Sequence, residues 1–335
     1  MKRFMCTMVA GFEQLVVGEL YEKLRNIDNV KIMRGKVLFS CNATKDKLLT
    51  LECTDNIYYY IGELKIGPHK KDLDDFYNDI KSINFKAASD FLGITKIPKI
   101  IVSTSKKGKQ TYSRFEVSKC ATRAIIDGNK YIAGDVANHN MPIRIDIENS
   151  GCIVSVQITP ANFKYRGNNY EFMPGGIRPT IASALIRLGK PKAEDVFYDP
   201  FCGSGTIPRE RARHRAKRIM ASDINPVAVE NARINLPTFV KVFCCDATQM
   251  KTADKSIDVI ISNIPWGKQI AVQDIGQLYI SFLNEAKRVL RDEGRMILLT
   301  DRDEIVEAAN KTGFCIKKLY TISLHGLLAG VYCLT

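Results

Sequence analysis

Histidine is scarce in this chain. Its four copies, at positions 69, 139, 214 and 325, lie too far apart in sequence to read as a metal-ligand set. There are ten cysteines but no Cys-x-x-Cys pair, which argues against a zinc ribbon or a dithiol redox site. The thiols therefore read as reduced and mostly buried, and no metal is expected. No apolar run approaches the roughly 20 residues that span a bilayer. The opening Met1-Lys-Arg-Phe-Met-Cys-Thr-Met-Val-Ala10 superficially resembles a signal peptide, but Glu13 and Gln14 follow at once with helical periodicity. A cytoplasmic protein with no membrane partner is the expectation. Internal repeats and low-complexity tracts are absent, and there is a single tryptophan, Trp266. Acidic residues are outnumbered, 36 against 49 Lys and Arg, for a net charge of +13. Such a balance fits a polyanionic partner, nucleic acid first, although a ribosomal or membrane surface would also satisfy charge alone.

The 335 residues suffice for two or three domains. In the first half the pattern predicts a strand at 3–9, a helix at 11–25, strands at 31–41 and 56–64, and a short helix at 45–53. A helix at 72–83 and a strand at 97–103 follow. Next comes the basic loop Lys106-Lys-Gly-Lys-Gln-Thr-Tyr-Ser-Arg114, in which Lys106, Lys107, Lys109 and Arg114 are candidate phosphate contacts. Ser113 and Glu116 have capping-box spacing ahead of a helical stripe of Val117, Cys120, Ala121, Ala124 and Ile125. Alternation at 143–147 and 152–158 predicts a hairpin turning at Asn149-Ser-Gly151.

Lys164-Tyr-Arg-Gly-Asn-Asn-Tyr170 and Met173-Pro-Gly-Gly176 have linker chemistry. From there strands at 196–199, 218–222, 240–244, 257–262, 295–300, 316–321 and 329–334 alternate with helices. The helices fall at 179–188, 207–216, 226–235, 276–290 and 303–311. That alternation predicts a doubly wound α/β sheet, whose ligands lie beyond the carboxyl ends of its strands.

Two motifs fall on such strand ends. Asp199-Pro-Phe-Cys202-Gly203-Ser204-Gly205-Thr206 closes the first strand with a glycine turn into a helix. Its glycines let a ligand approach the backbone, and the helix start favours a carboxylate. Asp223 closes the second strand and can accept from two ribose hydroxyls. Asp246 closes the third and can accept from an adenine amine, with the Ala247 N–H facing a ring nitrogen. Each feature alone has an ordinary alternative, a tight turn or a helix cap. Three in succession point to a nucleoside cofactor.

The second motif, Ser262-Asn-Ile-Pro-Trp-Gly267, ends the fourth strand. An exocyclic base amine is conjugated and a poor nucleophile. Two acceptors, the Asn263 side-chain oxygen and the Ile264 carbonyl, could draw it toward tetrahedral geometry. Pro265 would fix the turn and Trp266 would stack on the base. The alternative is a strand-ending turn with a core tryptophan. Together the motifs predict methyl transfer from S-adenosylmethionine to a nucleobase amine.

These residues resemble the THUMP-domain RNA methyltransferases, in particular the tRNA guanine-N2 enzymes, over essentially the whole chain. The Asp-Pro-Phe-Cys-Gly-Ser-Gly-Thr stretch carries most of the likeness. Glu210, Lys164-Tyr-Arg-Gly167 and Arg178-Pro-Thr180 add to it. The resemblance implies an α+β N-terminal half, with a ferredoxin-like unit at 1–64 and a THUMP RNA-binding domain at 65–160. A linker at 161–177 and a Rossmann-like methyltransferase domain at 178–335 follow. Pro179, Thr180 and Ile224 join the expected cofactor-binding set of Asp199, Cys202, Gly203, Ser204, Gly205, Thr206, Asp223, Asp246, Ala247 and Asn263. Arg166, Arg178 and Lys268 join the expected RNA contacts. Asn-Ile-Pro-Trp departs from the commoner Asn-Pro-Pro-Tyr, which favours guanine over adenine. Among these enzymes the chain most resembles those methylating guanine 6 of tRNA; position 10 and ribosomal RNA are the near alternatives. A non-catalytic RNA-binding protein and an NAD-dependent oxidoreductase are the readings from other classes. The expected partner is tRNA and the expected state a monomer. The basic run Pro208–Arg218 reads as a solvated helix face or an extra phosphate contact.

Overall fold

The computed structural model describes residues 1–167, 175–267, 274–324 and 326–335. The chain divides into two compact units. One comprises Met1–Thr7 and Val17–Ala161; the other comprises Met8–Val16 and Asn162–Thr335.

The first unit is built on one eight-stranded mixed sheet. Its early part runs β1 (Lys2–Thr7), α1 (Glu13–Lys23), β2 (Asp28–Met33), β3 (Lys36–Cys41), α2 (Lys45–Leu48) and β4 (Asn56–Lys65). The strands lie in the order β2-β3-β1-β4, the ferredoxin-like arrangement. The expected single strand at 31–41 is a hairpin instead, because Gly35 takes a φ of +71° and turns the chain between Met33 and Lys36. The unit continues through α3 (Asp72–Ser82), α4 (Lys86–Leu92), β5 (Lys99–Lys107), α5 (Arg114–Asn129), β6 (Ile132–Ala133), β7 (Met141–Glu148) and β8 (Gly151–Gln157). β8 pairs antiparallel with β4, so the strands of 1–64 and 65–160 share one sheet rather than forming two. Phe76 and Ile80 of α3 and Val117, Ala121, Ala124 and Ile125 of α5 pack with Ile143, Ile145, Val154 and Val156 of the sheet. The capping box at Ser113 forms as spaced: Glu116 N–H donates to Ser113 Oγ at 3.2 Å, and Ser113 N–H donates to Glu116 Oε2 at 2.7 Å.

The second unit begins with a 3-10 turn at Phe163–Tyr165 and α6 (Pro179–Leu188). It proceeds through β9 (Val196–Asp199), α7 (Thr206–Arg211), β10 (Arg218–Asp223), α8 (Pro226–Asn235) and β11 (Lys241–Cys244). Then come β12 (Ile257–Asn263), α9 (Ile275–Val289), β13 (Leu290–Thr300), α10 (Glu304–Thr312), β14 (Ile316–Leu324) and β15 (Leu327–Leu334). The sheet order is β11-β10-β9-β12-β13-β15-β14, parallel except that β15 runs antiparallel to both neighbours. The order reverses between β9 and β12, which places a crevice beyond their carboxyl ends. β12 is apolar on both faces, with Val259, Ile260 and Ile261 buried, as a central parallel strand requires. Met8–Val16 completes this unit. Ser323 N–H donates to the Ala10 carbonyl at 3.0 Å, and Phe12 meets Tyr320 edge-on. Gly11 is required there, since a Cβ would fall 2.1 Å from the Thr321 carbonyl oxygen. Among the described residues no helix is long and apolar enough to cross a membrane.

Candidate active site

Four neighbouring parallel strands, β11, β10, β9 and β12, end in or beside Asp246, Asp223, Asp199 and Asn263. The sheet order thus gathers groups separated by 64 positions in sequence along one edge.

Asp199 is fully buried. Its Oδ1 accepts from Ser262 Oγ at 2.6 Å and from Phe201 N–H at 3.2 Å. Its Oδ2 has no hydrogen-bond partner among the described residues. Burial pushes the carboxyl up to about 7; the two hydrogen bonds oppose that shift and the nearby Asp223 carboxylate adds to it. A bound positive group would relieve this cost. Ser262 is the link across the switch point from β12 to β9, and sequence alone assigned it no role.

Asp223 organises the glycine turn. Its Oδ2 accepts from Gly203 N–H at 2.9 Å and its Oδ1 from Asn225 N–H at 3.0 Å. Each oxygen retains a second lone pair. Gly203 takes a φ of +51°, and a Cβ there would meet nothing within 4 Å, so its face is open to a ligand. Gly205 is different: with a φ of +88° it packs against Leu236, 2.9 Å from where a Cβ would stand. A side chain there would be strained and would crowd Leu236. Cys202, Ser204 and Thr206 are buried in the turn, and the Ser204 hydroxyl has no partner among the described residues. Ile224 is 65% exposed beyond β10. Asp246 Oδ1 accepts from both Thr248 N–H and Thr248 Oγ1 at 2.8 Å. These bonds hold the carboxylate half-buried beside the buried Ala247. Pro179 and Thr180 are buried in the first turn of α6, and Arg178 is half-buried at its N-cap.

The orientation of the Asn263 amide is fixed by its partners. Its Nδ2 donates to the Gly175 carbonyl at 3.2 Å, which can only accept. Its Oδ1 accepts from Trp266 Nε1 at 3.1 Å, which can only donate. The amide oxygen keeps one lone pair for a further donor. Trp266 is half-buried and meets Asn263 through its indole edge. Ile264 has a buried side chain, and its N–H donates to the Leu299 carbonyl at 3.2 Å. Its own carbonyl accepts no hydrogen bond from the described residues. The turn's next two carbonyls are taken: Tyr279 Oη donates to Pro265 O and Arg302 Nε to Trp266 O, each at 2.5 Å.

The basic residues divide. Lys109 and Arg114 are exposed. Lys107 is exposed and pairs with Glu148 at 2.7 Å. Lys106 Nζ donates to the Gln110 and Tyr112 carbonyls at 3.2 and 2.8 Å, so it braces the loop instead of reaching outward. Arg166 also turns inward. Its side chain is 10% exposed, with the guanidinium 3.4 Å from the buried Glu210 carboxylate and 3.3 Å from Ser183 Oγ, an ion pair inside the fold. Lys268 lies outside the described residues. The basic helix expected at 207–216 stops at Arg211, whose fully buried side chain donates to the Lys192, His214 and Arg215 carbonyls. One arginine of that run is therefore structural. Among the described residues no group of His, Cys, Asp and Glu is placed to hold a metal.

Residues 166–328 match the UPF0020 family, described as RMKL-like, methyltransferase domain. A tRNA (guanine(6)-N2)-methyltransferase of Methanocaldococcus jannaschii is 22% identical, with 98% of each chain covered. The tRNA (guanine(6)-N(2))-methyltransferase THUMP3 of Bos taurus is 28% identical over 71% of this chain, and the chain spans about half of that relative's length (51%). The crystal structure of TrmN from Thermus thermophilus shares the fold with a TM-score of 0.83 at 20% identity, covering 100% of this chain and 99% of that one. The strand order and the glycine turn on β9 are those of a Rossmann-like α/β fold, and this unit carries the match to the methyltransferase-domain family.

Proposed function

We propose that the chain methylates the exocyclic N2 of a guanine in tRNA, at position 6 of the acceptor stem, using S-adenosylmethionine. The observation that carries this reading is the pair of open acceptors at the end of β12. The Asn263 amide oxygen and the Ile264 carbonyl stand on the strand next to the buried, half-satisfied Asp199 carboxylate. The relatives named for guanine-N2 methylation of tRNA support the substrate, and the net charge of +13 suits a polyanion.

The residues present fit the cofactor. Asp199 Oδ2 lacks a partner among the described residues and suits a cationic group, Gly203 presents an open backbone face, and Asp223 and Asp246 have lone pairs for hydroxyl and amine donors. The cofactor supplies an electrophilic methyl on a sulfonium, already activated. The protein's part is to orient and to exclude water. Asn263 and Ile264 accept one amine N–H each, which pulls the nitrogen toward tetrahedral geometry and exposes its lone pair. The same acceptors stabilise the positive charge that grows on that nitrogen during transfer. Pro265 and Trp266 hold the turn, and the Trp266 indole is available to pack against the base.

Incubating tRNA with the protein and methyl-labelled cofactor, then resolving the nucleosides by mass spectrometry, tests the reading. The label should appear in N2-methylguanosine. Label in methyladenosine, or none in RNA, would reject it.

A further inference from the structure

We propose that Tyr279, Thr300 and Arg302 form a clamp that positions the catalytic turn, by occupying the Pro265 and Trp266 carbonyls and leaving the Ile264 carbonyl to the substrate. This rests on the reading of Asn263 and Ile264 as acceptors of the guanine amine.

The direction of every bond in the clamp can be assigned. A carbonyl only accepts, so the single phenolic proton of Tyr279 goes to Pro265 O, 2.5 Å away. Tyr279 Oη must then accept from the Thr300 hydroxyl, 2.9 Å away. Thr300 Oγ1, having given its proton, accepts from the Arg302 backbone N–H at 3.1 Å. The chain runs one way: Arg302 N–H to Thr300, Thr300 O–H to Tyr279, Tyr279 O–H to Pro265. The Arg302 side chain closes the other arm, with Nε donating to Trp266 O at 2.5 Å. Tyr279 is 0% exposed and comes from α9, whereas Thr300 ends β13, so two elements pin a turn that leaves a third. Burial also pushes the Tyr279 phenol pKa upward, which keeps it a donor.

The consequence is selective. Successive carbonyls of the turn compete for any donor that enters the crevice. With two of them tied down, Ile264 presents the free acceptor next to Asn263. None of the three clamp residues lies in the Asn-Ile-Pro-Trp motif. They are positioning residues, acting through the turn.

The test uses the whole chain and the variants Tyr279→Phe, Thr300→Val, Thr300→Ser and Arg302→Gln. For Tyr279→Phe, Thr300→Val and Arg302→Gln, kcat should fall about tenfold, the equivalent of one lost hydrogen bond. KM for tRNA and Kd for the cofactor should stay within about twofold, because the phosphate contacts and the glycine turn are untouched. Thr300→Ser keeps the hydroxyl and should recover most of the turnover lost in Thr300→Val. A second readout needs no turnover. Trp266 is the only tryptophan, so acrylamide quenching of its fluorescence should increase in Arg302→Gln and in Tyr279→Phe and stay near wild type in Thr300→Ser. A kcat within about twofold of wild type in the folded variants overturns the clamp, as does a proportional loss of cofactor and tRNA affinity. If the wild type methylates no guanine, the functional reading falls. The quenching series still decides the clamp, and unchanged quenching overturns it.

Discussion

Asp199 holds a carboxyl at 0% exposure with one oxygen unbonded among the described residues, and this has a consequence for stability. Its pKa is raised to about 7 in the fold, mainly by burial, against about 3.9 in an unfolded chain. Between those values the folded state holds a proton that the unfolded state has lost. The carboxyl therefore supports folding fully below about pH 4, and that support is lost as pH rises through about 7, at up to about 1.4 kcal/mol per pH unit. Asp199→Asn removes this dependence. Thermal melts of the cofactor-free protein should show the variant gaining on the wild type from pH 4 to pH 8, with weaker cofactor binding throughout. Parallel melting curves would show that the carboxyl does not titrate in that range. Asn263 gives a second prediction at the same scale. Asn263→Ala should lower turnover by about a hundredfold, the scale of losing one charge-stabilising partner. Binding to tRNA should persist, because most of that affinity comes from phosphates. Steady-state kinetics with a filter-binding control separates the two.

The elements make their own prediction. α5 starts with a complete capping box, and Lys70 lies 2.8 Å from the Glu116 carboxylate. Bonding to Lys70 and to Ser113 holds the Glu116 carboxyl down at about 2. Its support for the cap is present above the usual carboxylate range and is lost as pH falls through about 2. Ser113→Ala should cost about 1 kcal/mol in a urea titration. No change in midpoint would mean that the cap is dispensable. Ser113 also shows which elements could be read from the sequence. Where a cap, a proline or an apolar stripe punctuates the chain, prediction and structure agree closely. α6 at 179–188, β9 at 196–199 and α8 at 226–235 match to the residue. The misreadings have physical causes. The hairpin at Gly35 carries no signal beyond that glycine between two basic residues. The run Arg209–Arg218 lacks a breaker, but Arg211 folds back onto carbonyls past the helix end. α4, Lys86–Leu92, leaves no periodic signal because seven residues give less than two full periods. In the site, the strand-end carboxylates and Asn263 were legible because each closes an apolar run. Ser262 carries no sequence signal of its own, and Tyr279, Thr300 and Arg302 carry none because tertiary contact alone brings them to the turn.

Over the whole molecule the excess of positive charge predicts salt-sensitive binding to RNA. Lys109 and Arg114 are the exposed members of the basic loop that have no carboxylate partner among the described residues, where Lys107 has Glu148. Replacing both with alanine should flatten the log–log salt slope of tRNA binding by about one to two units. Lys106→Ala should disturb the loop without a matching change in slope, since its ammonium serves two carbonyls. Equal slopes in all three proteins would place the RNA elsewhere. The atom that receives the methyl group can be tested directly. A synthetic tRNA carrying inosine in place of guanosine at position 6 keeps the purine ring and its stacking face but lacks the exocyclic amine. In single-turnover assays with labelled cofactor, the guanosine tRNA should be methylated at that position. The inosine tRNA should bind with similar affinity and take up no label there. Equal methylation of the two would contradict transfer to N2, and with it the assignment of Asn263 and Ile264 as its acceptors.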